Sequence, residues 1–222
     1  MLPRCSAHCS KHPGTMWVAL PLCLLSALLA TGSALQCEVC ASKGLSCSGP
    51  LQPCAPSEGT CVTIVAEFRP EGSSLSYTGK SCLEPKNCEP GPFSVTYAHN
   101  VTVRANIACC NTDGCNAGAI PVPTVSSVPN GRQCPSCFTQ WAGSCKDNEH
   151  LACTGAEDHC VEEPGILTMV GINLRQAAVG CASPGACVKR AGLKKYAQGV
   201  LEWLFQAKCY PAPRAGGGNR GP

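Results

Sequence analysis

The sequence predicts an all-β, disulfide-rich protein made of two tandem repeats, and three observations lead to that prediction. The chain has 21 cysteines among 222 residues, which is far above ordinary usage. Its aromatic content is only 5%, too low for a large apolar core, and small domains with thin cores depend on disulfides that contribute about 2–4 kcal/mol each. The third observation is that the intervals between the cysteines repeat.

The cysteine intervals from Cys37 are 3, 7, 7, 7, 21, 6 and 21 residues, and those from Cys134 are 3, 8, 8, 7, 21, 6 and 22 residues. Seven matching intervals indicate an internal duplication. The predicted organisation is a signal peptide at 1–34, a first domain at 35–116, a proline-rich linker at 117–133, a second, incomplete domain at 134–188 and a basic tail at 189–222. Because the linker contains no cysteine, we expect no disulfide between the two domains.

The N-terminal segment has the features of a secretory signal peptide. An apolar run at 16–30 is followed by Thr31-Gly32-Ser33-Ala34, whose small side chains suit a cleavage site after Ala34. The run is too short for a comfortable membrane span. The end of the chain lacks the apolar tail that is typical of a lipid-anchor signal. We therefore expect a secreted, extracellular protein without a membrane anchor.

Short β-branched and alternating stretches predict strands. They lie at 61–68, 93–97, 101–104, 166–174 and 176–179. No helical pattern precedes residue 189. Beyond it, apolar residues recur at helical spacing and favour a helix at the atypical end of the second domain, with a disordered end as the alternative. These residues are Leu193, Tyr196, Ala197, Val200, Leu201 and Leu204.

The segment Cys109-Cys110-Asn111-Thr112-Asp113-Gly114-Cys115-Asn116 is predicted to gather the first domain into a knot. A disulfide between adjacent cysteines strains the peptide bond between them, so Cys109 and Cys110 need different partners. Cys110 and Cys115 can close a small ring. The amide of Asn116 can donate and accept hydrogen bonds at once, which predicts that it cross-links neighbouring backbone. The second domain has Cys209 but lacks the ring and the asparagine.

This cysteine pattern resembles that of the Ly-6/urokinase-receptor family of three-finger domains across 37–116 and 134–187. The opening Gln36-Cys37-Glu38-Val39-Cys40 and the junction Pro129-Asn130-Gly131-Arg132-Gln133-Cys134-Pro135 are similar to those of gamma-type phospholipase A2 inhibitors. The resemblance implies tandem three-finger domains, in which a disulfide hub holds three β-hairpin fingers whose faces bind partners. After Cys187 the sequence departs from the family pattern.

The resemblance also implies a disulfide pairing, which spacing alone leaves open. The implied pairs are Cys37–Cys61, Cys40–Cys47, Cys54–Cys82, Cys88–Cys109 and Cys110–Cys115 in the first domain, and Cys134–Cys160, Cys137–Cys145 and Cys153–Cys181 in the second. A bond between Cys187 and Cys209 stays open.

Two other chemistries compete with structural disulfides at the Cys-x2-Cys pairs 37/40 and 134/137. Zinc binding would need a second pair or histidines at matching distance, and a redox motif would need a helix after a strand. Secreted phospholipases A2 carry a similar Cys-Cys-x-x-His-Asp-x-Cys segment, but Asp113 stands here at the position of the catalytic histidine. We therefore expect no catalytic residue, no bound metal and no cofactor.

The remaining polar residues suggest no reaction centre. The histidines are isolated from one another, at His8, His12, His99, His150 and His159. The acidic residues Asp147, Glu149, Glu157 and Asp158 are predicted to be solvated loop residues rather than a carboxylate site. The sequon Asn100-Val101-Thr102 predicts glycosylation of Asn100 in an exposed loop.

Charge is unevenly spread along the chain. Residues 37–116 carry five Lys/Arg against seven Asp/Glu, residues 134–188 carry two against six, and residues 189–222 carry seven against one. The acidic balance of the two disulfide-bonded domains argues against nucleic acid as a partner. For the basic tail we favour a solvated helix or a disordered end over contact with a membrane surface or a polyanion.

The resemblance implies a binding protein that inhibits a secreted phospholipase A2 by covering its interfacial surface or its active-site mouth, in a contact of around 1,600 Å². Phe93, Tyr97, Phe138 and Trp141 are candidate anchors, with a role in the core as the alternative for each, and the inhibitory residues are not assigned. A ligand of a cell-surface receptor is the competing hypothesis. The sequence leaves open whether the protein is a homo-oligomer.

Overall fold

The computed structural model describes residues 34–70, 73–98, 101–140, 144–145, 149–169 and 171–216. The predicted signal peptide lies outside the described residues, apart from Ala34. The predicted all-β, disulfide-rich fold is confirmed, since the described chain consists of β-strands, loops and two 3₁₀ turns. No helix in this part of the chain is long and apolar enough to span a bilayer.

The first repeat forms seven strands. They are β1 (Gln36–Glu38), β2 (Cys40–Lys43), β3 (Leu51–Pro53), β4 (Thr60–Arg69), β5 (Leu75–Leu83), β6 (Gly91–Ala98) and β7 (Val101–Cys110), with a 3₁₀ turn at Pro85–Asn87. The central strand β4 pairs antiparallel with β5 on one side and β7 on the other. Its β-branched run Val62-Thr63-Ile64-Val65 is buried on both faces, as expected for a central strand. The strands predicted in this repeat are confirmed.

The second repeat forms eight strands. They are β8 (Pro129–Gln140), β9 (Glu149–Thr154), β10 (His159–Glu162), β11 (Gly165–Met169), β12 (Ile172–Ala182), β13 (Gly192–Ala197), β14 (Val200–Leu204) and β15 (Lys208–Pro211), with a 3₁₀ turn at Pro184–Val188. Both β10 and β11 pair with β12. Pro164 separates β10 from β11, because proline has no N–H to donate to a strand ladder. The strand predicted at 166–174 is divided between β11 and β12, and Gly171 between them has a φ of 78°.

The helix predicted in the tail is wrong, because β13 and β14 form an antiparallel hairpin there. The hairpin closes at Gln198-Gly199, and Gly199 has a φ of 71°, which favours glycine and interrupts a helix. In β14, Val200, Glu202 and Leu204 point inward while Leu201 and Trp203 point outward. Both faces of β14 therefore carry apolar residues, and the positions of these residues also fit the spacing of a helix. The edge of β11 supplies the pairing partner of β14.

The last strand closes the second repeat in the register that the first repeat uses. Cys209 lies opposite Val161, as Cys109 lies opposite Val62. Tyr210 then takes the place at which the first repeat has Cys110, so the small disulfide ring has no counterpart.

Backbone hydrogen bonds close the end of the second repeat instead of a ring. The N–H of Ala212 donates to the carbonyl of Asp158 and the N–H of Gln133 donates to the carbonyl of Pro213. Arg132 Nη1 donates to the Ala212 carbonyl at 2.6 Å. These hydrogen bonds join the segment after Cys209 to β8 and to the residue that precedes β10.

The two repeats share one continuous sheet. Strand β12 pairs with β6 at Cys181 opposite Thr96 and at Ala182 opposite Val95. A Cβ atom built on Gly180 would lie 2.0 Å from the Thr96 carbonyl oxygen, so only glycine allows this approach. A buried cluster draws on both repeats and contains Phe68, Val95, Tyr97, Val101, Val161, Ala178, Ala182 and Ala186.

The tail hairpin packs on the core of the first repeat. Tyr196, Ala197 and Val200 belong to a buried cluster with residues of β4, β5 and β7; those residues are Val62, Ile64, Tyr77, Leu83 and Ile107. The Tyr77 hydroxyl donates to the carbonyl of Gln198, and Lys194 pairs with Glu89. The described part of the tail, up to residue 216, is therefore part of the folded unit rather than a solvated end.

Glu157 is buried in the joint between the repeats, so its prediction as a solvated loop residue is wrong. The hydroxyls of Ser94 and Thr96 donate to its Oε1 at 2.9 and 3.1 Å. Its Oε2 is buried without a hydrogen-bond partner in the described structure. Burial raises the pKa of this carboxyl, against the effect of the two hydroxyls and of Arg104. The negative charge of Glu157 is therefore unfavourable in the folded state.

We expect Glu157→Gln to stabilise the protein at pH 7.5 and to have no effect near pH 4. Because the pKa of Glu157 is higher in the folded than in the unfolded state, the folded state binds the proton more readily. Stability is thus full at low pH and falls as the pH rises through the folded-state pKa, and the neutral amide removes that fall. Urea unfolding across this pH range checks the prediction, with the exposed Glu149→Gln as control. A variant that is destabilised equally at every pH would contradict it.

Candidate binding surface

The cysteines predicted to be paired form two hubs. The structure joins Cys37–Cys61, Cys40–Cys47, Cys54–Cys82, Cys88–Cys109, Cys110–Cys115, Cys134–Cys160, Cys137–Cys145, Cys153–Cys181 and Cys187–Cys209. Two groups of three cysteines come close enough to suggest metal sites, at Cys37, Cys54, Cys82 and at Cys134, Cys153, Cys181. Each of these sulfurs is already in a disulfide, so none can supply the thiolate that a metal requires.

Asn116 holds the hub of the first repeat together, as predicted. Its Oδ1 accepts a hydrogen bond from the N–H of Glu38 at 2.9 Å. Its Nδ2 donates to the carbonyls of Glu38 at 2.9 Å and of Val62 at 3.3 Å. One buried amide therefore connects β1, β4 and the end of the repeat.

A buried ion pair lies beside this asparagine. Lys80 Nζ is 2.5 Å from Glu38 Oε2, and the N–H of Gly49 donates to Glu38 Oε1 at 2.9 Å. The hydrogen bond from Lys80 lowers the pKa of Glu38, although burial acts in the opposite direction. The pair ties β1 to β5 inside the hub.

Asp113 has a structural role in this turn. Its Oδ1 accepts a hydrogen bond from the N–H of Gln36 at 2.9 Å, which holds the start of β1. His159 contacts its neighbour, with Nδ1 at 2.6 Å from Asp158 Oδ1. His99 and Asn100 lie outside the described residues, so glycosylation of Asn100 stays a prediction.

Three of the four candidate anchors pack against the core between the repeats. The Phe138 ring centroid is 5.8 Å from that of Phe68 and 5.9 Å from that of Tyr97. Tyr97 is buried and Phe93 is half-buried against the same core. These aromatic residues join the repeats and do not form an exposed contact surface. Trp141 lies outside the described residues.

A buried cluster of charges lies where the tail meets the joint between the repeats. Lys189 Nζ is 2.9 Å from Glu163 Oε2 and 3.2 Å from Glu202 Oε1. The hydroxyl of Tyr97 donates to Glu163 at 2.9 Å, and that of Tyr196 donates to Glu202 at 2.6 Å. Burial alone would lower the pKa of Lys189, but the two carboxylates hold it well above its usual range. The ammonium is therefore charged and links three segments of the chain.

Four large apolar side chains are exposed together on the outside of the tail hairpin. The exposed fractions are 72% for Leu193, 52% for Trp203, 44% for Phe205 and 36% for Leu201. We call these four residues the hairpin face. The Trp203 and Phe205 rings meet edge to face with centroids 5.6 Å apart. This face is the candidate binding surface that the described structure presents.

Sequence reasoning missed this face because it treated Leu193 and Leu201 as one side of a helix. The signal that could have identified it is the short apolar run at 200–205, interrupted only by Glu202, directly after a Gln-Gly pair; such a run after a turn favours a strand. Trp203 and Phe205 then fall on the side opposite to the buried Glu202.

Most of the chain matches known protein families. A model described as phospholipase A2 inhibitor matches residues 35–117, and one described as u-PAR/Ly-6 domain matches residues 130–196. Phospholipase A2 inhibitor NAI of Notechis ater is 32% identical over 196 residues, which cover 86% of this chain and 94% of that inhibitor. The chain belongs to the phospholipase A2 inhibitor family. A second relative, a gamma-type phospholipase A2 inhibitor of Elaphe climacophora, is 34% identical over 194 residues, which cover 86% of this chain and 94% of that relative.

Among solved structures, the crystal structure of mouse TEX101 aligns with a TM-score of 0.38 and 16% identity, over 81% of this chain and 99% of that chain.

The match of this chain to the u-PAR/Ly-6 domain model ends at residue 196, inside β13. The hairpin face therefore lies mostly beyond the segment that the domain model matches.

Proposed function

We propose that this protein is a secreted, non-enzymatic inhibitor of phospholipase A2 that acts by direct contact with the enzyme through its three-finger domains. The observation that carries the proposal is the relationship to inhibitors whose lengths the chain almost fully covers, at 32% and 34% identity. The first repeat alone matches the phospholipase A2 inhibitor model.

The fold suits inhibition by contact because its surfaces are rigid before a partner arrives. In the described part of the chain, nine disulfides, a sheet that spans both repeats and a shared core hold the fingers in place. A preformed surface loses less conformational entropy on binding than a flexible one, so more of the interaction energy becomes affinity. The use of Asp113 to hold β1 also agrees with a protein that binds rather than hydrolyses.

The mature chain should lower the rate of a secreted phospholipase A2 in proportion to its concentration until the enzyme is saturated. It should hydrolyse no phospholipid itself, with or without calcium. The assay uses a short-chain phospholipid kept monomeric, so that covering a lipid surface cannot mimic inhibition. A panel of secreted phospholipases A2 is titrated in this way, with the reduced and alkylated protein as control.

Two results would contradict the proposal. Turnover of phospholipid by the protein alone would make it an enzyme. No inhibition of any enzyme in the panel would favour the ligand of a cell-surface receptor instead.

A further inference from the structure

We infer that the hairpin face is a docking site for the surface of an anionic phospholipid bilayer. The inference is independent of the inhibition proposed above, because it concerns the lipid surface and not an enzyme. It follows from the arrangement of apolar, aromatic and cationic side chains on one side of β12, β11, β14 and β13.

The strand register places these side chains in two adjacent transverse rows. One row runs across the four strands through Leu193, Trp203, Ile166 and Arg175, and the other runs through Lys195, Leu201, Thr168 and Asn173. Neither row contains an acidic residue. Arg175 and Lys195 lie at opposite edges, and the guanidinium carbon of Arg175 is 5.8 Å from the centroid of the Phe205 ring.

The chemistry of the face matches the interface of a bilayer. Tryptophan is enriched at the level of lipid headgroups because its ring is amphipathic. Apolar side chains flanked by Lys and Arg are the pattern of segments that lie on anionic membranes. Among the described residues, these two cations have one acidic partner, Glu58, whose Oε1 is 3.7 Å from Lys195 Nζ, too far for a direct hydrogen bond. The face therefore keeps a positive charge available for lipid phosphates.

The size of the face favours a bilayer over a protein. Four strands about 4.8 Å apart and two rows about 7 Å apart cover roughly 270 Å² of sheet. A stable protein contact takes about 800 Å² from each partner, whereas insertion at a lipid interface needs only a few apolar side chains. A second copy or an enzyme docked here would have to use additional surface outside the face.

Partitioning of the full mature chain onto vesicles tests the inference. We expect the protein to sediment with vesicles of phosphatidylcholine mixed with phosphatidylglycerol, and much less with phosphatidylcholine alone. Trp203→Ser combined with Phe205→Ser should lower the partition coefficient roughly tenfold or more, because two partly inserted aromatic rings are lost. Arg175→Gln should lower it roughly fivefold on the anionic vesicles and leave the neutral vesicles unchanged.

Two controls separate a binding defect from a folding defect. Leu45→Ser combined with Val128→Ser removes exposed apolar side chains outside the face and should leave partitioning unchanged. Leu193→Ser removes the most exposed residue of the face, so it should keep the circular dichroism of the parent while lowering partitioning severalfold.

The inference is overturned if the unmodified chain ignores anionic vesicles or if the face variants bind as well as the parent. It is also overturned if, without lipid, the parent self-associates and Trp203→Ser abolishes that association, since a second copy would then cover the face. If the face variants no longer inhibit hydrolysis of the monomeric substrate, the face contacts the enzyme rather than lipid, and the inference is overturned. Vesicle binding by a protein that inhibits no phospholipase A2 would support the lipid site and reject the proposed function.

Discussion

Lys189→Met is expected to lower the free energy of unfolding by about 3–5 kcal/mol, the usual effect of removing one partner from a buried ion pair. The ammonium contacts both Glu163 and Glu202, whose side chains are almost completely buried. Without it, two carboxylates would remain close together in the core, with only the hydroxyls of Tyr97 and Tyr196 donating to them. The tail hairpin should detach first, because Glu202 belongs to β14.

Urea unfolding together with limited trypsin digestion checks this expectation. In the parent, we expect cleavage at Lys194 and Lys195 to be slow, because both lie in the paired strand β13; in the variant it should be fast. The matched control is Lys195→Met, whose exposed pairing with Glu58 at 3.7 Å should be worth less than about 1 kcal/mol. Adding Glu163→Gln and Glu202→Gln to Lys189→Met should restore part of the stability. A stability within about 1 kcal/mol of the parent for Lys189→Met would reject the role of the cluster.

Asn116→Ala is expected to destabilise the first repeat by about 2–5 kcal/mol, since a buried backbone group without a partner costs about 1–3 kcal/mol. The asparagine side chain accepts a hydrogen bond from the N–H of Glu38 and donates to the carbonyls of Glu38 and Val62. Alanine removes all three of these hydrogen bonds. Hydrogen exchange should therefore accelerate in β1 and in the adjoining part of β4, and much less in β12.

Asn116→Asp tests whether the hub depends on the shape of the asparagine side chain or on its hydrogen-bond donor. Aspartate has the shape of asparagine and can still accept from the Glu38 N–H, but at neutral pH it cannot donate to the two carbonyls. We expect it to be at least as destabilising as alanine. Asn111→Ala changes an exposed asparagine of the same turn and should stay within about 0.5 kcal/mol of the parent. Equal effects of Asn111→Ala and Asn116→Ala would show that the buried amide has no special role.

The repeat and most of the strands could be predicted from the sequence, because they depend on neighbouring residues or on fixed intervals between cysteines. Cysteine spacing identifies the duplication, and β-branched runs such as Val62-Thr63-Ile64-Val65 identify central strands. The role of Asn116 could also be anticipated, since a terminal amide beside a disulfide ring has few other uses.

The predictions for Glu157 and for the tail were wrong because the surroundings of these residues are formed by distant segments of the chain. Glu157 looks like a loop residue until Ser94 and Thr96 of the other repeat come to cover it. The tail looks helical because Leu193 and Leu201 fit a helical spacing, and only the free edge of β11 decides in favour of a hairpin. Single-sequence periodicity does not report which edge is available, so the hairpin face could not be located from it.

The placement of Tyr196, Ala197 and Val200 in the core of the first repeat restricts how such a protein can be recombined. A cut in the linker would give two fragments that each expose apolar surface which the other normally covers. A foreign second repeat would need a glycine at the position of Gly180 and side chains that fit the cluster containing Val62 and Ile64. The two repeats therefore behave as a matched pair, and a substitution in one limits the substitutions that the other tolerates.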